Sequence, residues 1–167
     1  KHKAVLLYDT EQSEVQLFKN VTNLIKRSKQ TDKPDEFKAF CLTGMSRKER
    51  LHAIVQSMDR YYYQYGGIQL VVIDGIADLV RCANDEAESV AIIDELYRLA
   101  GIYKTCIICV LHFVPNGLKL RGHLGSELQR KAAAILSIEK DEDPALSVVK
   151  ALKVRDGSPL DVPLMLF

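Results

Sequence analysis

Little in this sequence is set aside for covalent stapling, membrane burial or charge of one sign. The four cysteines, Cys41, Cys82, Cys106 and Cys109, are scattered through apolar segments. They form no disulfide framework, and reduced thiols in a cytoplasmic protein are expected. Cys106 and Cys109 have CxxC spacing, yet they fall in a strand-like run at 105–110, where an odd separation sends them to opposite faces. That excludes them as a zinc pair. No apolar run approaches the ~20 residues a membrane span requires, so a soluble chain with no signal peptide and no membrane partner is expected. With 23 Lys plus Arg against 22 Asp plus Glu, the net charge is +1, which excludes a whole-surface polycation. Any nucleic-acid contact must then come from charge concentrated in loops.

What is present suits one globular domain over residues 1–167, with 47% hydrophobic and 27% charged residues and only five prolines. A chain of this size buries roughly 68 to 70% of the surface its unfolded form exposes, enough to fold without a staple. Short β-branched runs alternate with segments of helical period, the pattern of an α/β fold whose parallel sheet is covered on both faces. Strands are predicted at 4–8, 37–42, 68–73, 106–111, 134–138, 146–154 and 162–167. Thr10 or Ser13 caps a first helix with Leu17, Val21, Leu24 and Ile25 on one face. Ser46 and Glu49 have capping-box spacing for a second, which carries Leu51, Ile54, Val55, Met58 and Tyr62 to a stop at Gly66-Gly67. A third spans 86–100, with Val90, Ile93, Tyr97 and Ala100 in register and Gly101 beyond its end; a short fourth lies near 126–131. The turn residues 156–159 predict a C-terminal antiparallel hairpin. The chain opens at Lys1, without methionine and almost directly in a strand, so part of the natural protein is expected upstream.

In an open parallel sheet the strand carboxyl ends share one edge, and ligands bind there. The first strand delivers Asp9 and Glu11, the third Asp74 and the fourth His112. Each alone reads equally well as a loop or cap residue. Their expected convergence on one crevice is the signal. Leu70-Val71-Val72-Ile73-Asp74 has the form of a Walker B strand, which delivers an acid to a nucleotide's Mg²⁺.

With Tyr8-Asp9-Thr10-Glu11, Val110-Leu111-His112 and Lys153-Val154-Arg155-Asp156-Gly157 in the same order, the chain resembles the RecA-like ATPases, most of all the hexameric replicative and plasmid DNA helicases. The resemblance covers nearly the whole length. It implies a three-layer fold, ATP and Mg²⁺ as cofactors, single-stranded DNA as partner and a homo-oligomeric ring. By matching positions, Glu11 is the water-polarising acid, Asp74 the metal holder, Asp9 beside it a further cofactor-binding residue, and His112 the γ-phosphate sensor. An imidazole can donate a hydrogen bond to phosphate where the family also uses Gln. Lys153 and Arg155 match a Lys-x-Arg arginine finger that reaches the neighbouring subunit's nucleotide; the plain reading is a solvated edge-strand pair. Lys119, Arg121, Arg130 and Lys131 match a loop that, with residues 75–85, touches DNA in the central channel. No aromatic interleaves with that basic loop, so base stacking is not implied. Tyr61, Tyr62, Tyr63 and Tyr65 read as helix-end packing. Gly75 stands where AAA+ ATPases carry a second acid, which disfavours that pattern.

One departure bears on activity. A phosphate loop needs GxxxxGK[ST], and none of the nine glycines precedes a lysine. The expectation is therefore an ATPase core lacking its N-terminal phosphate-loop segment, inactive by itself, from a helicase or a replication or mobilisation protein of a plasmid or mobile element. Two rivals stand beside it: a catalytically inactive module of the same fold used for assembly or partner binding, and an unrelated doubly wound enzyme.

Overall fold

A computed structural model describes residues 2–112, 122–155, 157 and 161–164. The chain divides into two compact units, Lys1–Glu127 and Leu128–Phe167.

The first unit is built on four parallel strands: β1 (Ala4–Asp9), β2 (Phe37–Cys41), β3 (Ile68–Asp74) and β4 (Cys106–Val110), in the order β2-β1-β3-β4. Three helices connect them: α1 (Glu14–Arg27), α2 (Arg47–Tyr65) and α3 (Glu86–Tyr103), with a 3-10 turn at Ile76–Leu79 after β3. One sheet face carries Leu6, Tyr8, Val71 and Ile73, all fully buried, as are Ile54 and Met58 of α2. Tyr8 ties the layers together. Its ring stacks on Phe40 at 5.2 Å, and its hydroxyl lies 2.7 Å from Ser57 Oγ of α2. The other face is less covered, because Val5, Leu7, Leu70 and Val72 are half-buried and Ile108 is 46% exposed. The run 68–73 is thus buried unevenly: Ile68, Val71 and Ile73 lose nearly all their solvent, Leu70 and Val72 only part of it, and Gln69 is exposed, although the largely apolar character of the run suits a strand buried on both faces.

Helix ends follow local chemistry. Ser13 Oγ accepts from Gln16 N–H at 3.3 Å and starts α1. Ser46 and Glu49 close the expected capping box on α2, and Gly66 ends it in the left-handed region at φ 72°. Two expectations shift. α1 buries Leu17 while Leu24 is half exposed, so its core stripe is narrower than its sequence period. α3 continues through Gly101 to Tyr103 and stops at Lys104, itself left-handed at φ 48°. A single helical glycine costs only about 1 kcal/mol against alanine, which packing of the flanks outweighs. The stripe of α3 is Ile92, Ile93, Leu96 and Leu99, with Tyr97 turned to solvent.

The second unit is an antiparallel sheet of β5 (Ala134–Lys140), β6 (Ser147–Val154) and β7 (Asp161–Leu164), with β6 in the middle. The division between units falls inside α4 (Gly122–Lys131). The C-terminal hairpin is β6-β7; of the expected turn residues, 156, 158 and 159 lie outside the described residues.

Candidate functional site

β1 and β3 end level with each other, which pairs Asp9 with Asp74 at the carboxyl edge of the sheet. The chain then turns sharply after β1. Asp9, 2% exposed, accepts the amides of Glu11 at 3.0 Å and Gln12 at 2.8 Å on one oxygen, an Asx turn that satisfies both amides. Thr10 fastens the turn to β3. Its backbone N–H donates to the Asp74 carbonyl at 3.1 Å, and its hydroxyl faces the carbonyls of Asp74 and Gly75 at 3.0 and 2.9 Å. Glu11 follows, and its carboxylate reaches across the edge. Beyond the end of β4, His112 Nε2 lies 3.2 Å from Glu11 Oε2.

Three strands thus bring Glu11, Asp74 and His112 to one edge of the first unit. The electrostatics follow from this crowding. The Asp74 carboxyl is held above its ordinary range, first by burial and then by the negative fields of Asp9 and Glu11, with His112 opposing. A neighbouring cation would relieve all three. Half-buried Asp74 offers hard oxygen and fits Mg²⁺, which is usually held by one or two carboxylates and otherwise by water and phosphate oxygens. Among the described residues no group of three or more His, Cys, Asp and Glu forms a ready metal cage. The imidazole of His112, 77% exposed, is accessible for a hydrogen bond to an anion.

Two supports of this edge carry no signature in the sequence. In the sequence Thr10 is a possible helix cap, the role Ser13 takes, and a member of the Tyr8-Asp9-Thr10-Glu11 run with no role of its own. Arg50 of α2 donates to the Leu42, Thr43 and Asp78 carbonyls and lies 3.5 Å from the Asp78 carboxylate, tying the β2 exit to the turn after Asp74. Nothing in its spacing marks it, since its partners, three backbone oxygens and the Asp78 carboxylate, are brought together by the fold.

The remaining sequence candidates lie elsewhere. Lys153, on β6, donates through Nζ to the Gln129 carbonyl. Arg155, one residue past the strand, donates to the Arg130 and Lys131 carbonyls at 3.3 Å each. Both cations therefore cap the carboxyl end of α4, where orphan carbonyls and the helix dipole favour positive charge. Arg130 and Lys131 form the basic last turn of that helix. Lys119 and Arg121 lie outside the described residues. In the segment 75–85, Ile76 and Leu79 are buried, and Arg81 pairs with Asp85 at 2.8 Å. The tyrosines near the end of α2 pack as a cluster, with Tyr62 5.2 Å from Tyr103 and Tyr61 6.0 Å from Phe40.

No protein-family model and no curated protein matches the chain.

Proposed function

We propose that this chain belongs to the core of a RecA-like, oligomeric, DNA-directed nucleoside triphosphatase, of the kind found in helicases and in replication or mobilisation proteins of mobile elements. The observation that carries the reading is the 3.2 Å approach of Glu11 to His112 beside Asp74, on three strand ends of one parallel sheet. A base, a metal-holding acid and a phosphate-facing donor are the groups that cleavage of a terminal phosphate requires.

In this reading Glu11 accepts a proton from the attacking water, and Asp74 holds Mg²⁺ through its carboxylate. The metal supplies neutralisation of phosphate charge when bound. His112 bridges the two tasks. Its ring nitrogen orients Glu11 before phosphate arrives and donates to the phosphate afterwards. Asp9 serves as the brace of the turn. Arg155 and Lys153 are the candidates for contact with a nucleotide held by a neighbouring protomer, and a guanidinium with five donors can hold helix carbonyls and a phosphate together. Arg130 and Lys131, with Lys119 and Arg121, supply positive charge for single-stranded DNA. The reading requires a glycine-lysine phosphate loop from outside these 167 residues.

The test compares Mg·ATP binding by the 167-residue chain with hydrolysis by the natural full-length protein in the presence of single-stranded DNA. The shorter chain is expected to show no binding at micromolar nucleotide. In the longer one, Glu11→Gln should lower kcat by about 10² to 10⁴ while nucleotide still binds. Micromolar binding by the 167 residues, or hydrolysis indifferent to Glu11→Gln, refutes the reading. Full biological function in a Glu11→Ala protein would favour the inactive assembly module instead.

A further inference from the structure

We infer that Thr10 and Gly75 are a positioning pair that aims the Glu11 carboxylate at His112. The role of the aimed carboxylate rests on the function proposed above; the aiming itself rests on geometry alone.

Thr10 is only 3% exposed, and its hydroxyl lies 3.0 Å from the Asp74 carbonyl and 2.9 Å from the Gly75 carbonyl. One hydroxyl hydrogen is thus shared between two successive acceptors on β3 and its exit. With the backbone bond from Thr10 N–H to Asp74 O, a single residue closes the gap between two strand ends. Glu11 is the next residue along, so its starting direction is set by this clasp. A serine could keep the hydroxyl bonds. A valine of nearly the same shape could not.

Gly75 shapes the floor. Its φ of +86° lies in the left-handed region, and a Cβ there would strike Thr10 Oγ1 and come within 2.6 Å of Glu11 Cγ and 3.0 Å of Glu11 Cδ. The glutamate stem therefore rests on the bare Cα of Gly75. Any larger residue must displace either the clasp or the stem. A glutamate without such a seat has three side-chain torsions to fix and no reason to stay within reach of one imidazole. Neither Thr10 nor Gly75 needs to touch a substrate; both act through Glu11.

The experiment uses Thr10→Ser, Thr10→Val and Gly75→Ala. The first readout is the ring ¹⁵N and ¹³C signals of His112 in the 167-residue chain, which has only four histidines to resolve. Glu11→Ala supplies the spectrum of an uncoupled ring. Thr10→Ser should match the parent, while Thr10→Val and Gly75→Ala should move the His112 signals toward those of Glu11→Ala. In the natural full-length protein, kcat should fall about 10-fold to 100-fold for Thr10→Val with KM changed less than about threefold, and Thr10→Ser should restore it. Where Gly75→Ala does not fold, the serine-valine contrast decides. Unmoved His112 signals in a folded Thr10→Val chain overturn the inference, as does equal loss of thermal stability and of signal in the serine and valine variants. Absence of hydrolysis in the parent protein would remove the proposed function and leave the spectroscopic result to judge the positioning.

Discussion

Asp9 and Asp74 are register partners at the carboxyl ends of neighbouring parallel strands, and Asp9 turns its carboxylate back onto its own chain. Two acids that share an edge thereby have different physical situations. Asp9 is held by two amides, whereas Asp74 carries the cost of burial and of two negative neighbours.

Replacing Asp74 by asparagine should stabilise the fold at neutral pH. The folded state holds the Asp74 proton more tightly than the unfolded one. Its contribution is therefore most favourable below the unfolded pKa and is lost as pH rises through the raised folded value. At neutral pH the ionised group is a net cost, kept small by solvent screening at a half-open site. Tm should rise by roughly 2 °C at pH 7.5 and by less at pH 4, read by calorimetry across the two buffers. A larger gain at pH 4 would contradict the sign.

Asp9→Ala should do the opposite. It leaves the amides of Glu11 and Gln12 without their charged acceptor in a part-buried turn. Hydrogen bonds to a charged group contribute about 1.5–3 kcal/mol, so a fall in Tm of roughly 5–10 °C is expected. Asp9→Asn keeps an acceptor oxygen and should lose less. Equal losses would show that a neutral acceptor oxygen in this turn contributes nothing without the charge.

Tyr8→Phe tests the tie between β1 and α2. The ring and its stacking on Phe40 remain, while the 2.7 Å contact with Ser57 Oγ is lost. Ser57 keeps the Ala53 and Ile54 carbonyls as acceptors, so the loss should be about 1 kcal/mol. Urea unfolding should show a lower midpoint with an unchanged m-value. Adding Ser57→Ala should then cost less than it does in the parent, since the two share one interaction.

The cysteines should separate by reactivity. Burial pushes the Cys109 thiol up to about 12, with a smaller contribution from Cys106. Thiolate is the reactive form, so Cys109 should resist iodoacetamide at pH 8 until the chain unfolds. Cys82 and Cys106 are exposed and should be modified first, as mass spectrometry of time-quenched digests would show. Early labelling of Cys109 would contradict its burial.

How much of this was legible beforehand depended on the range of the interaction involved. The Ser46–Glu49 box and the Gly66 stop were readable because each is closed by hydrogen bonds within a few residues. Gly101 misled, since a glycine sets only a local preference and the buried stripe through Leu96 and Leu99 carries α3 past it. The same limit applied to Tyr97, whose place in the period did not reveal which face the sheet would cover. Lys153 and Arg155 were recognisable as cations before a turn, but their attachment to the carbonyls ending α4 depends on how β6 returns beside that helix.

The order of strands and helices, the helix starts and the acids or imidazole at strand ends are properties of the sequence by itself, because short-range propensity, side-chain period and capping write them residue by residue. Tertiary structure alone decided the strand register that sets Asp9 against Asp74, the clasp of Thr10 on two β3 carbonyls and the meeting of Glu11 with His112. Those arrangements join groups up to 101 positions apart through backbone pairing and packing, which no local rule encodes.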